Sequence, residues 1–212
     1  MNKSEFFKPI EDAVNLIPDS KRTPLPDWDL ETIRTTQMPS DTDRDALWDA
    51  FKTRFDLVHG KCTEGRADLL SLLKEESVTA GYVAPELKAD LKPWLQQSGI
   101  EIHTSLDDSQ IDTYEFGITR AAGVIAETGT IILKDQSTSS RLGALSPWIH
   151  IAVLPDDAPI YPTLFDAMND LGNDPYIVFA TGPSKTADVE GILIEGVHGP
   201  GIQICSRMKS RH

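Results

Sequence analysis

Tyr176 to Pro200 reads YIVFATGPSKTADVEGILIEGVHGP. An apolar, β-branched run (Tyr176 to Thr181) meets a Gly-Pro turn at Gly182 and Pro183. Ser184, Lys185 and Thr186 follow, at what reads as the start of a helix over Ser184 to Glu195. A second glycine-rich turn, Gly196 to Gly201, leads into another apolar run, Ile202 to Cys205. Strand, turn, helix, turn, strand is the unit from which parallel sheets are built.

The same alternation continues outward. Ile149 to Leu154 reads as a strand and Tyr161 to Leu171 as a helix. Upstream, Asp41 to Phe51 is a helix with acidic residues in its first turn, and Asp56 to Cys62 is strand-like. Gly65 to Lys74 is a helix, Ser77 to Val83 a short strand, and Ile100 to His103 another. Between those two, Pro85 to Gln97 is a helix with proline near its start and Gly99 at its end; Pro93 threatens a kink. Gly117 to Leu133 reads as two adjoining strands around Glu127, Thr128 and Gly129. The pattern predicts an α/β fold, three layers α/β/α, with a mostly parallel sheet covered on both faces. In such sheets ligands bind beyond the carboxyl ends of strands. That rule selects the loops after Ile125, Leu133 and Ala180 as site walls.

The 212 residues suit one α/β domain, placed over residues 39–212. Residues 1–38 precede it. They begin with a helical stripe in Ser4 to Ile17 (Phe6, Phe7, Ile10, Val14 and Ile17) and continue into PDSKRTPLPDWD, a proline-rich linker. A net charge of −13 with no Lys/Arg stripe argues against a nucleic-acid partner. Met1 to Ile17 lacks the apolar core of a signal peptide, and no apolar run nears the roughly 18 residues of a membrane span, so a cytoplasmic location is expected. Cys62 and Cys205 stand far apart without a CxxC, and no two histidines have HxxxH or HExxH spacing. The sequence therefore offers no metal motif and no iron–sulfur ligand set of its own.

Four segments could carry chemistry. A helix start at Ser184 would gather free N–H groups and the positive end of a dipole, with Ser184, Lys185, Thr186 and Asp188 around it, as in an anion site. Capping alone would explain Ser184 and Asp188 but leave Lys185 opposing the dipole. The P-loop pattern GxxxxGK[ST] fails, because Ser184 precedes Lys185, and GxGxxG is absent. Glu127 lies in the apolar run Ala121 to Leu133, so it is exposed at the Gly129 bend, paired, or a cleft carboxylate able to act as base or nucleophile. Arg141 stands at a loop end, suited to a carboxylate or phosphate, or to plain solvent exposure. His150, on one strand face with Trp148 and Ala152, reads first as a hydrogen-bonded core histidine. His198, between glycines, is either an exposed hydrogen-bonding group or part of a simple turn.

Taken in order, GIT (Gly117 to Thr119), IAETGTIIL (Ile125 to Leu133), HIAVL (His150 to Leu154), TGPSKTADVE (Thr181 to Glu190) and GVHGP (Gly196 to Pro200) resemble the LUD-domain family of lactate-utilisation proteins. The resemblance covers the C-terminal half closely and the N-terminal half only in pattern. It departs at Lys185, where many members have Arg, and near Ala122, where many have an acidic residue. It implies a fold related to the CoA-transferase and sugar-phosphate-isomerase superfamily. It also implies a role in oxidising L-lactate to pyruvate beside partner subunits, one of which carries iron–sulfur clusters, with no cofactor in this chain. Two other readings remain open: a stand-alone enzyme acting on an acyl or sugar-phosphate ligand with Glu127 as its acid group, and a non-catalytic ligand-binding or interaction module.

Overall fold

The computed structural model describes residues 3–18, 29, 43–106, 109, 113–135, 141–172, 174, 176–187 and 191–208. Most of the proline-rich linker and Asp188 lie outside the described residues. The chain divides into two units, Met1–Ile33 and Arg34–His212. In the first, helix α1 (Lys3–Asn15) carries the predicted stripe, and Phe6, Phe7, Ile10 and Val14 are all exposed.

The second unit opens with α2 (Arg44–Leu57). Asp43 caps it, accepting from the backbone N–H groups of Asp45 and Ala46 at 2.9 Å each. Its buried stripe is Leu47, Trp48, Phe51 and Phe55, with the three rings stacked at 5.3 and 5.1 Å. The i, i+4 spacing of Phe51 and Phe55 carries the helix through Leu57, past the expected end at Phe51. The strand expected from Asp56 therefore starts only at β1 (Lys61–Glu64).

The central sheet contains β1, β2 (Ala80–Val83), β3 (Glu101–His103), β4 (Phe116–Arg120), β7 (Ile149–Pro155) and β12 (Ile202–Met208). Its order is β1-β12-β7-β4-β2-β3, and every pairing is parallel. Alternate residues feed two cores. On one face Ile151, Val153 and Ile204 pack with Leu69 and Leu73 of α3 (Arg66–Glu75) and Leu91 and Leu95 of α4 (Lys88–Gln97). On the other face Ala152, Leu154 and Cys205 pack with Phe51 and Phe55 of α2. Pro93 is accommodated inside α4, and Pro85–Leu87 forms a separate 3-10 turn before it.

That second face holds more than helices. A four-stranded sheet lies there, in the order β8-β5-β6-β9, made of β5 (Gly123–Ile125), β6 (Thr130–Lys134), β8 (Ile160–Tyr161) and β9 (Ile177–Ala180). Its β5–β6 and β6–β9 pairs are antiparallel, and its Val124, Ala126, Ile131 and Leu133 join the α2 core. Gly117 to Leu133 thus yields three strands, β4, β5 and β6, rather than two. Two short helices complete the unit, α5 (Arg141–Leu145) and α6 (Leu164–Asp170). Among the described residues, no helix is long and apolar enough to cross a membrane.

The helix expected over Ser184 to Glu195 does not form in the described residues. Lys185–Thr186 (β10) and Ile194–Glu195 (β11) pair as an antiparallel hairpin. The Ser184 N–H donates to Pro200 O and the Gly196 N–H to Ser184 O, both at 2.9 Å, so these groups are used by the hairpin base. Thr186, Ile192 and Ile194 are β-branched, which favours the extended chain over a helix.

Candidate functional site

The sequence-predicted residues fall into separate places. In the described residues a hairpin takes the place of the expected helix start, so Ser184, Lys185 and Thr186 have no helix dipole to share. Ser184 and Thr186 sit in the hairpin backbone. Lys185 Nζ donates to the Val58 carbonyl at 2.8 Å and pairs with Glu195 at 3.3 Å. Val58 is the C-cap of α2, so the cation occupies the negative end of that helix. Glu195 also meets His59 Nδ1 at 2.7 Å; His59 first and then Lys185 hold its carboxyl below the usual carboxylate range. His198 is exposed in the turn after β11.

Glu127 stands at the turn between β5 and β6. It is half-buried, and Oε2 accepts from the Leu164 N–H at 3.3 Å, at the first residue of α6. Thr163 closes the same helix end as a capping box with Asp166. No hydrogen bond or ion pair among the described residues joins Glu127 to Lys185. Arg141 is engaged too: Nε donates to Asp135 at 3.0 Å, and the guanidinium lies 3.9 Å from the Tyr176 ring centre. It ties α5 to the segments after β6 and before β9.

His150 is the core residue the spacing indicated. It is fully buried; the Gln203 amide donates to Nδ1 at 2.7 Å, and Nε2–H donates to Thr119 Oγ1 at 2.8 Å. Burial lowers its pKa to about 4, so the ring is neutral.

The loops after Ile125, Leu133 and Ala180 do not wall the carboxyl end of the central sheet, because β5, β6 and β9 belong to the second sheet. Carboxyl ends of the parallel strands lie instead after Glu64 of β1 and at Met208 of β12, whose neighbours Glu64 and Arg207 are in register. A cleft of about 800 Å³ opens there, lined by α2, the start of α3, and Asp90 of α4. None of the described sequence-predicted site residues lines it.

This cleft is built from cations held on aromatic faces. Arg207 lies 5.7 Å from the Trp48 ring centre and Arg66 lies 5.6 Å from that of Trp94. Trp48 Nε1 donates to Glu64 at 2.9 Å, and Lys52 Nζ reaches the same carboxylate at 3.1 Å. The Trp48 bond, then Lys52, holds the Glu64 carboxyl below its usual range. Arg207 pairs with Asp45 at 2.9 Å, Lys52 with Asp49 at 2.9 Å, and Arg66 with Asp90. The sequence shows a strand–glycine–helix junction around Gly65 but not that Arg207 and Trp48 meet it, because they come from distant segments.

The LUD domain family model matches residues 61–205, from the first strand of the central sheet into the last. This chain belongs to the LUD domain family. Within that family it is similar to proteins named lactate utilization protein C. The one from Oceanobacillus iheyensis is 35% identical over 94 residues, 41% of this chain and 40% of that protein. The one from Halalkalibacterium halodurans is 29% identical over 131 residues, 54% of each chain. These matches span about half or less of those relatives' length. The Geobacillus thermodenitrificans protein is 25% identical over 226 residues, 94% of this chain and 92% of that one. In three dimensions the LUD fold seen here resembles the crystal structure of a DUF162 family protein from Deinococcus radiodurans. The TM-score is 0.56 at 20% identity, covering 80% of this chain and 99% of that one.

Proposed function

We propose that this chain serves lactate utilisation in the cytoplasm, as a subunit or accessory protein of a system that oxidises L-lactate to pyruvate. It binds a small organic anion, and a partner subunit carries the iron–sulfur clusters. The observation behind this reading is the similarity to lactate utilization protein C of Geobacillus thermodenitrificans across 94% of the chain.

The test is growth and co-purification. Deleting the gene should abolish growth on L-lactate while leaving growth on pyruvate intact. The tagged chain from lactate-grown cells should co-elute with an iron-containing protein. Normal growth on lactate in a strain without a second lactate-oxidising system would overturn the reading. Turnover of an organic acid by the isolated chain, lost in Glu127→Gln, would favour a stand-alone enzyme instead.

A further inference from the structure

The geometry points to the cleft beyond β1 and β12 as the binding site for a small molecule with two or more anionic groups, carboxylates or phosphates. This deepens the reading above, on which the choice of an organic anion rests. The walls present Arg66 and Arg207 on different elements, each facing one carboxylate, while Lys52 is held between Asp49 and Glu64; a ligand with one anionic group would engage only one of the two guanidiniums. A cleft of about 800 Å³ falls in the range that encloses cofactor-sized molecules and greatly exceeds a hydroxy acid such as lactate.

The pairing of these cations shows how such a ligand would enter. The Arg207 side chain is 16% exposed and its partner Asp45 is 81% exposed. Likewise the Arg66 side chain is 21% exposed and Asp90 57%. The guanidiniums are fixed by packing on Trp48 and Trp94, whereas the carboxylates reach in from solvent. Because Asp45 and Asp90 are the exposed members of these pairs, they can swing into solvent while an incoming anion takes their place on the guanidiniums. Arg207 is also under-used: Nη1 meets Asp45, but Nε is buried without a hydrogen-bond partner. A two-pronged anion satisfies a guanidinium better than its one carboxylate hydrogen bond among the described residues. Asp45 and Asp90 thus act as internal competitors for the ligand.

Calorimetric titration of the full chain with citrate, ADP and L-lactate tests this. Citrate or ADP should bind at least roughly tenfold more tightly than L-lactate, and which of the two binds distinguishes carboxylate from phosphate chemistry. Arg207→Gln should weaken that binding by roughly tenfold or more. Asp45→Asn should strengthen it several-fold, a change of opposite sign that misfolding cannot imitate. Lys185→Ala should leave it unchanged. Failure of both citrate and ADP to bind, or unchanged affinity in Arg207→Gln and Asp45→Asn, overturns the assignment. Growth on lactate is scored separately, so loss of the cleft site and loss of the lactate role give different results.

Discussion

Lys185 Nζ lies 2.8 Å from the carbonyl oxygen of Val58, closing the C-terminal end of α2 from a hairpin far along the chain. A lysine is disfavoured at a helix start and favoured at a helix end, where free carbonyls gather. The contact thus accounts for a cation that capping at Ser184 left unexplained. Gly182, at φ +79°, is part of the same junction, because a Cβ there would collide with the Val58 carbonyl. Replacing Lys185 by Met should lower stability by about 1 kcal/mol, since a partly exposed charged hydrogen bond and a dipole contact are lost together. Urea unfolding measures it. Unchanged stability would show that the lysine does not close the helix.

Gly129 should be far less tolerant than a glycine that merely turns the chain. Its φ is +64°, and a Cβ would lie 2.5 Å from Phe55 N and 2.7 Å from the Arg54 carbonyl carbon. Those are backbone atoms of α2 and cannot swing aside. Gly129→Ala should cost more than about 2 kcal/mol by combining strain with overpacking. Gly172 has nearly the same φ, +66°, with nothing near its Cβ position, so Gly172→Ala should cost only about 1 kcal/mol of backbone strain. Equal unfolding midpoints for the two variants would remove the close approach of α2 as the cause.

These two junctions show what was legible in the sequence. The α3 and α4 helices and strand β7 announce themselves by local period, with Pro85 before α4 and Gly99 after it, and they give the parallel sheet. His150 was legible because its strand neighbours alternate. The β10–β11 hairpin was not, because Ser184 and Asp188 imitate a helix cap while the β-branched residues that extend the chain come later. Nor was the second sheet, since an apolar run such as Ile131 to Leu133 has the same appearance in parallel and antiparallel pairing. From sequence Glu127 reads as exposed, paired or functional; its bond to the Leu164 N–H depends on a helix 37 residues away. The cleft was hidden for the same reason: Trp48, Arg66 and Arg207 meet only through long-range pairing of β1 with β12.

His150 makes stability depend on pH. Its folded pKa, about 4, lies below the ordinary histidine value of 6.5, so the unfolded chain binds more protons between those values. The contribution is complete above about pH 6.5 and is lost as pH falls towards 4, amounting to roughly 3 kcal/mol. Carboxylates held low, such as Glu64 and Glu115, lose their contributions at lower pH, as they protonate below their usual range. Between pH 6.5 and 5, therefore, the fall in stability should belong mainly to His150. In His150→Gln, which can still bond Thr119, that slope should flatten. The same slope in the variant and the parent would place the titration elsewhere.

The two thiols should resist alkylation in the folded chain. Cys62 and Cys205 are register neighbours on β1 and β12, with side chains turned towards the α2 core. Burial raises the Cys62 thiol to about 12 and Cys205 well above its ordinary value, and the charge-bearing form is the reactive one. At pH 8 the iodoacetamide reaction of native Cys62 should be at least roughly tenfold slower than that of a free thiol, with Cys205 unmodified. Both should react at once in urea. Fast labelling of Cys62 in the native protein would show that burial against the α2 core does not shield the thiol.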